Sequence, residues 1–179
     1  MRILGIPFSV LTETWRAFQE GAQAGVESTV RWAGPTALGR TSLQVATTVI
    51  NPPQKVSGGH FEIPHSGTRA MGAALLSHGL VNIAQIHTHP GDWVGHSSWD
   101  DSHAYSSREH ALSIVLPHYG AGMPRLEEWG VHERLDGQWK QLSASATRDR
   151  LLIVPDAIRL RGELELIGGF DGDFDNAFD

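Results

Sequence analysis

The chain reads as short apolar blocks separated by glycine, proline and polar clusters. Residues 2–8 form a short strand or a lead-in. From Thr12 to about Ala24 the apolar positions Leu11, Trp15, Phe18 and Ala22 recur at helical steps, and Gly25 is the stop. Val26 to Trp32 alternates as a strand closed by Gly34-Pro35. Leu43 to Ile50 is a β-branched run that predicts one strand, ended by Asn51-Pro52-Pro53. Residues 54–67 are polar, with a short strand at Phe61-Glu62-Ile63. Thr68 to His78 predicts a helix whose inner face carries Met71, Ala74, Leu75 and His78, stopped at Gly79. Leu80 to Ile86 is an apolar run that predicts a strand ending at His87. A third helix is expected from Asp100 to Ala111, and a strand from Leu112 to Leu116 stopped by Pro117. A Gly/Pro loop covers residues 118–126. Asp136-Gly137 then sits between two alternating runs, 129–135 and 138–142, the strongest hairpin signal in the chain. After a polar stretch at 143–150, Leu151 to Val154 is a last strand or packed turn. Helices alternating with strands and closing in a hairpin predict an α/β class with a mixed sheet.

The chemistry concentrates behind the Leu80–Ile86 run, in Ile86-His87-Thr88-His89-Pro90 and, after a loop, Ser97-Ser98-Trp99-Asp100. Side chains two apart on a strand share a face. His87 and His89 therefore aim the same way, roughly 6.6 Å apart along the backbone, and can share one cation with Asp100 as third ligand. Two neutral nitrogens and a carboxylate suit zinc, with a fourth position open to water. Ser97-x-x-Asp100 also has the form of a capping box opening a helix. The two roles of Ser97 are compatible.

This spacing resembles the JAMM metalloproteases, also called the MPN-plus or JAB domain family. His87, Thr88, His89, Pro90, Ser97 and Asp100 meet its pattern. The resemblance covers residues 9–142 and implies the JAB fold, a curved mixed β-sheet flanked by helices in a single domain. The domain is expected over residues 1–155, with a C-terminal extension over 156–179. The resemblance also implies a distant upstream glutamate as general base. Glu27, after the first helix and at the opening of a strand, is the expected residue, with Glu13 and Glu20 as weaker candidates. The Ser-Thr-Val-Arg-Trp that follows Glu27 departs from the family's Gly-rich strand. In this reading Zn2+ is held by His87, His89 and Asp100, Glu27 moves the proton, and Ser97 donates to the developing oxyanion. Thr88 faces away and receives no role. His96 is placed as a loop residue. His60, His65, His103 and His110 are expected at the surface or packed, with His103 or His110 able to support the site from behind. Trp129 and Trp139 are expected in the core or across strands.

The implied reaction is cleavage of a peptide or isopeptide bond after the C-terminal glycine of a ubiquitin-like protein, by deconjugation or precursor trimming. Activating and conjugating enzymes of the same pathway are the further partners it implies. The alternatives are a zinc hydrolase acting on a sulfur-carrier peptide or small molecule, a repair-associated member of the superfamily, and a non-catalytic MPN-type interaction module. Such modules lack one or more ligands, whereas all are present here.

Composition adds limits. At 179 residues and 40% hydrophobic content the chain is long enough for one sizeable core. There are no cysteines, so neither disulfides nor a thiolate metal site are available, and a cytoplasmic setting is expected. No apolar run reaches the roughly 18 residues of a membrane span, and no signal peptide is read at the start. The net charge is -6, and four of the negatives are Asp171, Asp173, Asp175 and Asp179. The rest of the chain is near neutral and offers no general footprint for nucleic acid. The acidic, Gly-rich tail from Gly168 is expected to be mobile.

Overall fold

A computed structural model describes residues 2–35, 43–122 and 124–156. The strands are β1 (Ile3–Pro7), β2 (Thr29–Pro35), β3 (Leu43–Val45), β4 (Thr48–Ile50), β5 (Lys55–Ser57), β6 (His60–Glu62), β7 (Leu80–Thr88), β8 (Leu112–Leu116), β9 (Gly130–Leu135), β10 (Gln138–Gln141) and β11 (Leu151–Val154). The helices are α1 (Phe8–Ala24), α2 (His65–Ser77), α3 (Ser98–Ser102) and α4 (Ala144–Arg150). A six-stranded mixed sheet has the order β10-β9-β8-β7-β2-β4, and a three-stranded parallel sheet has the order β11-β1-β3. β5 and β6 form a separate hairpin. The α/β class and the mixed sheet with flanking helices are as the sequence predicts.

β7 lies in the interior of the large sheet, antiparallel to β2 and parallel to β8. Alternation decides what each face carries. Val30, Trp32, Ala84, Ile86, Leu112, Ile114 and Val131 join one core with Val10 and Phe18 of α1. On the opposite face Ala33 packs with Met71 and Leu75 of α2. His87, following Ile86, therefore emerges on the α2 side, as does Arg31 between Val30 and Trp32.

Several expectations are corrected. α1 starts at Phe8, and its buried positions are Val10, Thr14 and Phe18, not Leu11, Trp15 and Ala22. The reason is polar: Thr14 Oγ1 accepts the Trp32 indole N–H at 2.7 Å and donates to Val10 O. A buried threonine serving a buried tryptophan is invisible to an apolar pattern. Glu27 lies in the loop before β2, which begins at Thr29. The run from Leu43 to Ile50 is two strands in two sheets, with Ala46 and Thr47 turning the chain by bonds to Gly5 O and Ala33 O. The polar stretch from Gln54 holds the hairpin β5–β6. α2 begins at His65, and His78 and Ala74 are exposed, since only Gly67, Met71 and Leu75 face inward. The expected helix from Asp100 to Ala111 ends at Ser102. There Tyr105 turns inward to donate to Ile83 O at 2.8 Å, and His110 adopts φ 65°. The stretch 143–150 is a helix with Ser143 as N-cap. The β9–β10 hairpin is as predicted, with Asp136 and Gly137 at φ 54° and 73°. The C-terminal residues 157–179, including the acidic tail, lie outside the described residues. No helix among the described residues is long and apolar enough to cross a membrane.

The loop between β7 and α3 packs directly on β9. A Cβ added at Gly130 would lie 1.9 Å from Val94 O. Gly130→Ala must therefore move the loop that leads to Ser97. The expected cost is about 1–3 kcal/mol, typical of overpacking, or several degrees in Tm. A thermal melt checks it, and an unchanged Tm would show that the loop is not seated on β9.

Candidate metal centre

His87 stands on β7 and is fully buried, and His89 follows one residue past the strand end at 4% exposure. Asp100 comes from α3 and is 7% exposed. His87 Nε2 lies 3.4 Å from Asp100 Oδ1, and His89 Nε2 lies 3.6 Å from Asp100 Oδ2. One ligand atom from each of the three lies within 4.8 Å of the others. Tetrahedral zinc with bonds of about 2.05 Å separates its ligand atoms by roughly 3.3 Å, so the spacing fits a shared cation.

The hydrogen bonds set the lone pairs. His89 Nδ1 meets the Trp93 carbonyl at 3.1 Å, so it carries the proton and leaves Nε2 free to ligate. His87 Nε2 is buried with no hydrogen-bond partner. The Gln85 side-chain amide reaches His87 Nδ1 at 3.5 Å, and its oxygen is itself buried and unpartnered. A half-turn of that amide lets Nδ1–H donate to the oxygen and leaves Nε2 as a bare donor.

Asp100 is the most constrained of the three. Its Oδ2 accepts from Ser97 N and Ser97 Oγ, both at 2.7 Å, and its own N–H donates to Ser97 Oγ at 3.2 Å. This is a complete capping box at the start of α3. Burial opposes the Asp100 charge, but the adjacent His87 and His89 imidazoles, with the Ser97 bond, hold its pKa far below the carboxylate range. Burial drives His87 down to about 4, which keeps its lone pair at neutral pH. His89 moves up: burial works against its charge, but its bonds to Asp100 and Trp93 and the nearby carboxylates prevail.

Glu27 is buried and lines the same cleft of about 220 Å³ with His89, Ser97 and Asp100. Desolvation raises its pKa to about 7, with His89 opposing and Asp100 adding to the rise. Its backbone is pinned from two sides. Glu27 N–H donates to Ser57 O at 2.8 Å, and the next residue, Ser28, exchanges bonds of 3.1 Å with Thr88 through Ser28 N–Thr88 Oγ1 and Thr88 N–Ser28 O. Thr88 does face away from the triad, and its hydroxyl is what holds the glutamate-bearing loop. Glu13, by contrast, is exposed and pairs with Arg16.

Sequence reasoning left other cleft residues without a role. His60 and Phe61 from the hairpin, Trp93 from the loop and Trp99 from α3 complete the walls. Trp93 stacks on His89 at 5.0 Å, and Phe61 stands 5.6 Å from His87. Their aromatic character was the available clue, but pairing them needs the hairpin. His96 docks the loop: Nε2 meets Ser113 Oγ and Nδ1 meets Asp101 Oδ1, each at 2.9 Å, and its ring stacks on His132 at 3.8 Å. His103 stacks on Trp99 and His110 pairs with Glu133, so neither touches the triad. Trp129 is buried against Trp32, and Trp139 lies across the hairpin near Arg134.

Six motif positions are thus read in the sequence, and their three ligand candidates converge in space. Together they form a candidate metal site.

No family model matches this chain. It is 26% identical over 122 residues to a protein of Sinorhizobium fredii (strain NBRC 101917 / NGR234) described as probable metalloprotease y4jG, covering 66% of this chain and 74% of that one. Its fold is similar to the solution structure of protein DSY2949 from Desulfitobacterium hafniense, with TM-score 0.64, 10% identity, and 86% and 94% of the two chains covered. The crystal structure of AF2198, a JAB1/MPN domain protein from Archaeoglobus fulgidus, aligns with TM-score 0.46 and 13% identity over 84% of this chain and 98% of that one.

The raised pKa of Glu27 has a measurable sign. The folded, metal-free protein holds that proton up to about pH 7, whereas the free carboxyl loses it near 4.5. Wild type should therefore lose stability relative to Glu27→Gln as pH rises through that window. Parallel chemical denaturation of both chelated proteins checks this. A difference that does not grow between pH 4.5 and 7 would place Glu27 in solvent.

Proposed function

We propose that this chain is a zinc-dependent peptidase or isopeptidase that cleaves after the C-terminal glycine of a ubiquitin-like protein. The observation that carries it is the buried His87–His89–Asp100 triad with a protonatable Glu27 in the same narrow cleft. The similarity to a probable metalloprotease supports the reaction class. The donor set of two imidazoles and one carboxylate suits zinc. When bound, the metal ion polarises the scissile carbonyl and lowers the pKa of a water.

The chain's own residues do the rest. Glu27 takes a proton from the attacking water, a task for which its burial in the cleft beside His89 and Asp100 places it. The water oxygen adds to the carbonyl carbon, the C–N bond breaks, and Glu27 passes the proton to the departing amine. Ser97 Oγ has one proton, engaged with Asp100 Oδ2. Rotation of that hydroxyl lets it donate to the oxyanion instead, at which point Asp100 keeps the Ser97 N–H bond.

The cleft walls argue for a thin substrate. Phe61, Trp93 and Trp99 crowd the space beside Asp100, and glycine is the residue that lets backbone approach closely. The β5–β6 hairpin is the segment free to accept an extended tail by main-chain bonds. Activating and conjugating enzymes for such a partner belong to the same proposal.

Glu27→Gln should retain stoichiometric zinc and lose roughly 10²–10⁴-fold in turnover, whereas His87→Ala with His89→Ala should lose the metal. Elemental analysis and a fusion-cleavage assay separate these outcomes. A Glu27→Gln protein of full activity would remove the glutamate from the mechanism. In the same assay, a ubiquitin-like fusion ending in glycine should be cut, and its leucine counterpart should resist. Equal cleavage of both would leave a general metallopeptidase.

A further inference from the structure

Beside the cleft lies a larger cavity of about 440 Å³, lined among others by Arg31, Met71, Gly72, Asn82 and Tyr105. Its size is that of a small-ligand pocket. Phe61 and Trp99 line both this cavity and the cleft, so the two spaces adjoin. Arg31 is 4% exposed, and no carboxylate pairs with it among the described residues. Its Nη1 donates to Thr29 Oγ1 at 2.9 Å and its guanidinium lies over the Tyr105 ring, but its Nε is buried without a partner. Asn82, another lining residue, also has a buried, unpartnered side-chain oxygen. The acid of the lining, Glu62, is exposed. Burying an unpaired cation costs free energy unless something completes its bonding.

The sheet fixes where this cation stands. Thr29 is the register partner of His87, and Arg31 is the partner of Gln85. The two rows are roughly 6.7 Å apart, two residues of extended chain, and the bond to Thr29 bends the guanidinium toward the triad row. A register shift between Trp32 and Ala33 pairs Ala33 with Asn82, and Tyr105 Oη caps the carbonyl of Ile83 there. Such bulges re-aim side chains beside sites.

We infer that this cavity binds a carboxylate carried by an amino-acid-sized group of the substrate, with Arg31 as its anchor, Asn82 turning its amide N–H to the same group and Met71, Phe61 and Tyr105 covering the apolar part. The inference deepens the proposed function and rests on it for the word substrate. Binding itself does not require turnover. An arginine fork matches a planar carboxylate, and the short distance to the triad row suits an amino acid joined to the scissile carbonyl through its amine. A carboxylate can be an α-carboxylate or an acidic side chain, and the probes separate these.

The test is calorimetric titration of zinc-loaded Glu27→Gln protein, so that binding is read whether or not the catalytic reading holds. The probes are N-acetyl-leucine, its C-terminal amide, and N-acetyl-glutamate α-amide. N-acetyl-leucine should bind at least about tenfold tighter than its amide, the scale of a charged hydrogen bond. Tight binding of the glutamate probe instead would assign an acidic side chain, and still supports the anchor. Added to the same protein, Arg31→Gln should abolish the difference between acid and amide, and Arg31→Lys should keep part of it. Gly72 faces open space, so Gly72→Leu should block the cavity without disturbing the fold. Equal binding of acid and amide, no binding of any probe, or discrimination that survives both Arg31→Gln and Gly72→Leu would overturn the inference.

Discussion

The site depends on one carboxylate. Asp100 faces two imidazoles with its two oxygens and is held in place by the hydroxyl and N–H of Ser97. Without it, His87 and His89 would be two neutral rings at a strand end with nothing to define a common focus. With it, one buried carboxylate stands 3.4 Å from His87 Nε2 and 3.6 Å from His89 Nε2 and gives the two rings that focus. The capping box matters for the same reason. The Ser97 N–H and hydroxyl stabilise the carboxylate, and so place a candidate ligand through the act of starting a helix.

The remaining architecture brings that short helix to the strand. β7 is an interior strand, so His87 cannot shift without breaking ladders on both sides. The loop after His89 is then stitched down by His96 on Ser113 and by the close seat of Val94 over Gly130. From the other side, Thr88 and Ser57 hold the segment around Glu27. Each of the four chemical groups thus comes from a different local structure: a strand, a strand end, a helix start and a loop. Their mutual geometry is a property of tertiary packing.

This explains how far the sequence could be read. The candidate triad was legible because its residues fall in one short window whose spacing carries meaning: alternation for His87 and His89, a helix start for Ser97 and Asp100. Glu27 was reachable only through a resemblance, since its meaning lies in burial against His89 and Asp100. β8 and the β9–β10 hairpin were legible because their signals are local. Long-range events were not. Nothing in Leu43–Ile50 says that one run will serve two sheets. The parallel pairing of β11 with β1 likewise joins the two ends of the described chain. The predicted helix after Asp100 failed at Tyr105, whose partner is a backbone carbonyl 22 residues away. Thr14, Thr88 and His96 look ordinary in sequence because their roles are hydrogen bonds to distant elements.

The β5–β6 hairpin touches both the cleft and the Arg31 cavity. Ser57 on its first strand bonds Glu27, and Phe61 on its second stands over His87 while lining both the cleft and the Arg31 cavity. Val56 is exposed, and the three-residue ladder is held to the body also by Tyr119 Oη on Gly58 O and by His60 against Trp99. Short ladders of this kind belong to the less stable end of a structure. A substrate that extended the ladder or filled the space beside Phe61 would order the hairpin. In doing so it would also fix the loop that carries Glu27. Substrate occupancy and the positioning of the proton carrier would then be one equilibrium, because the same two strands report on both.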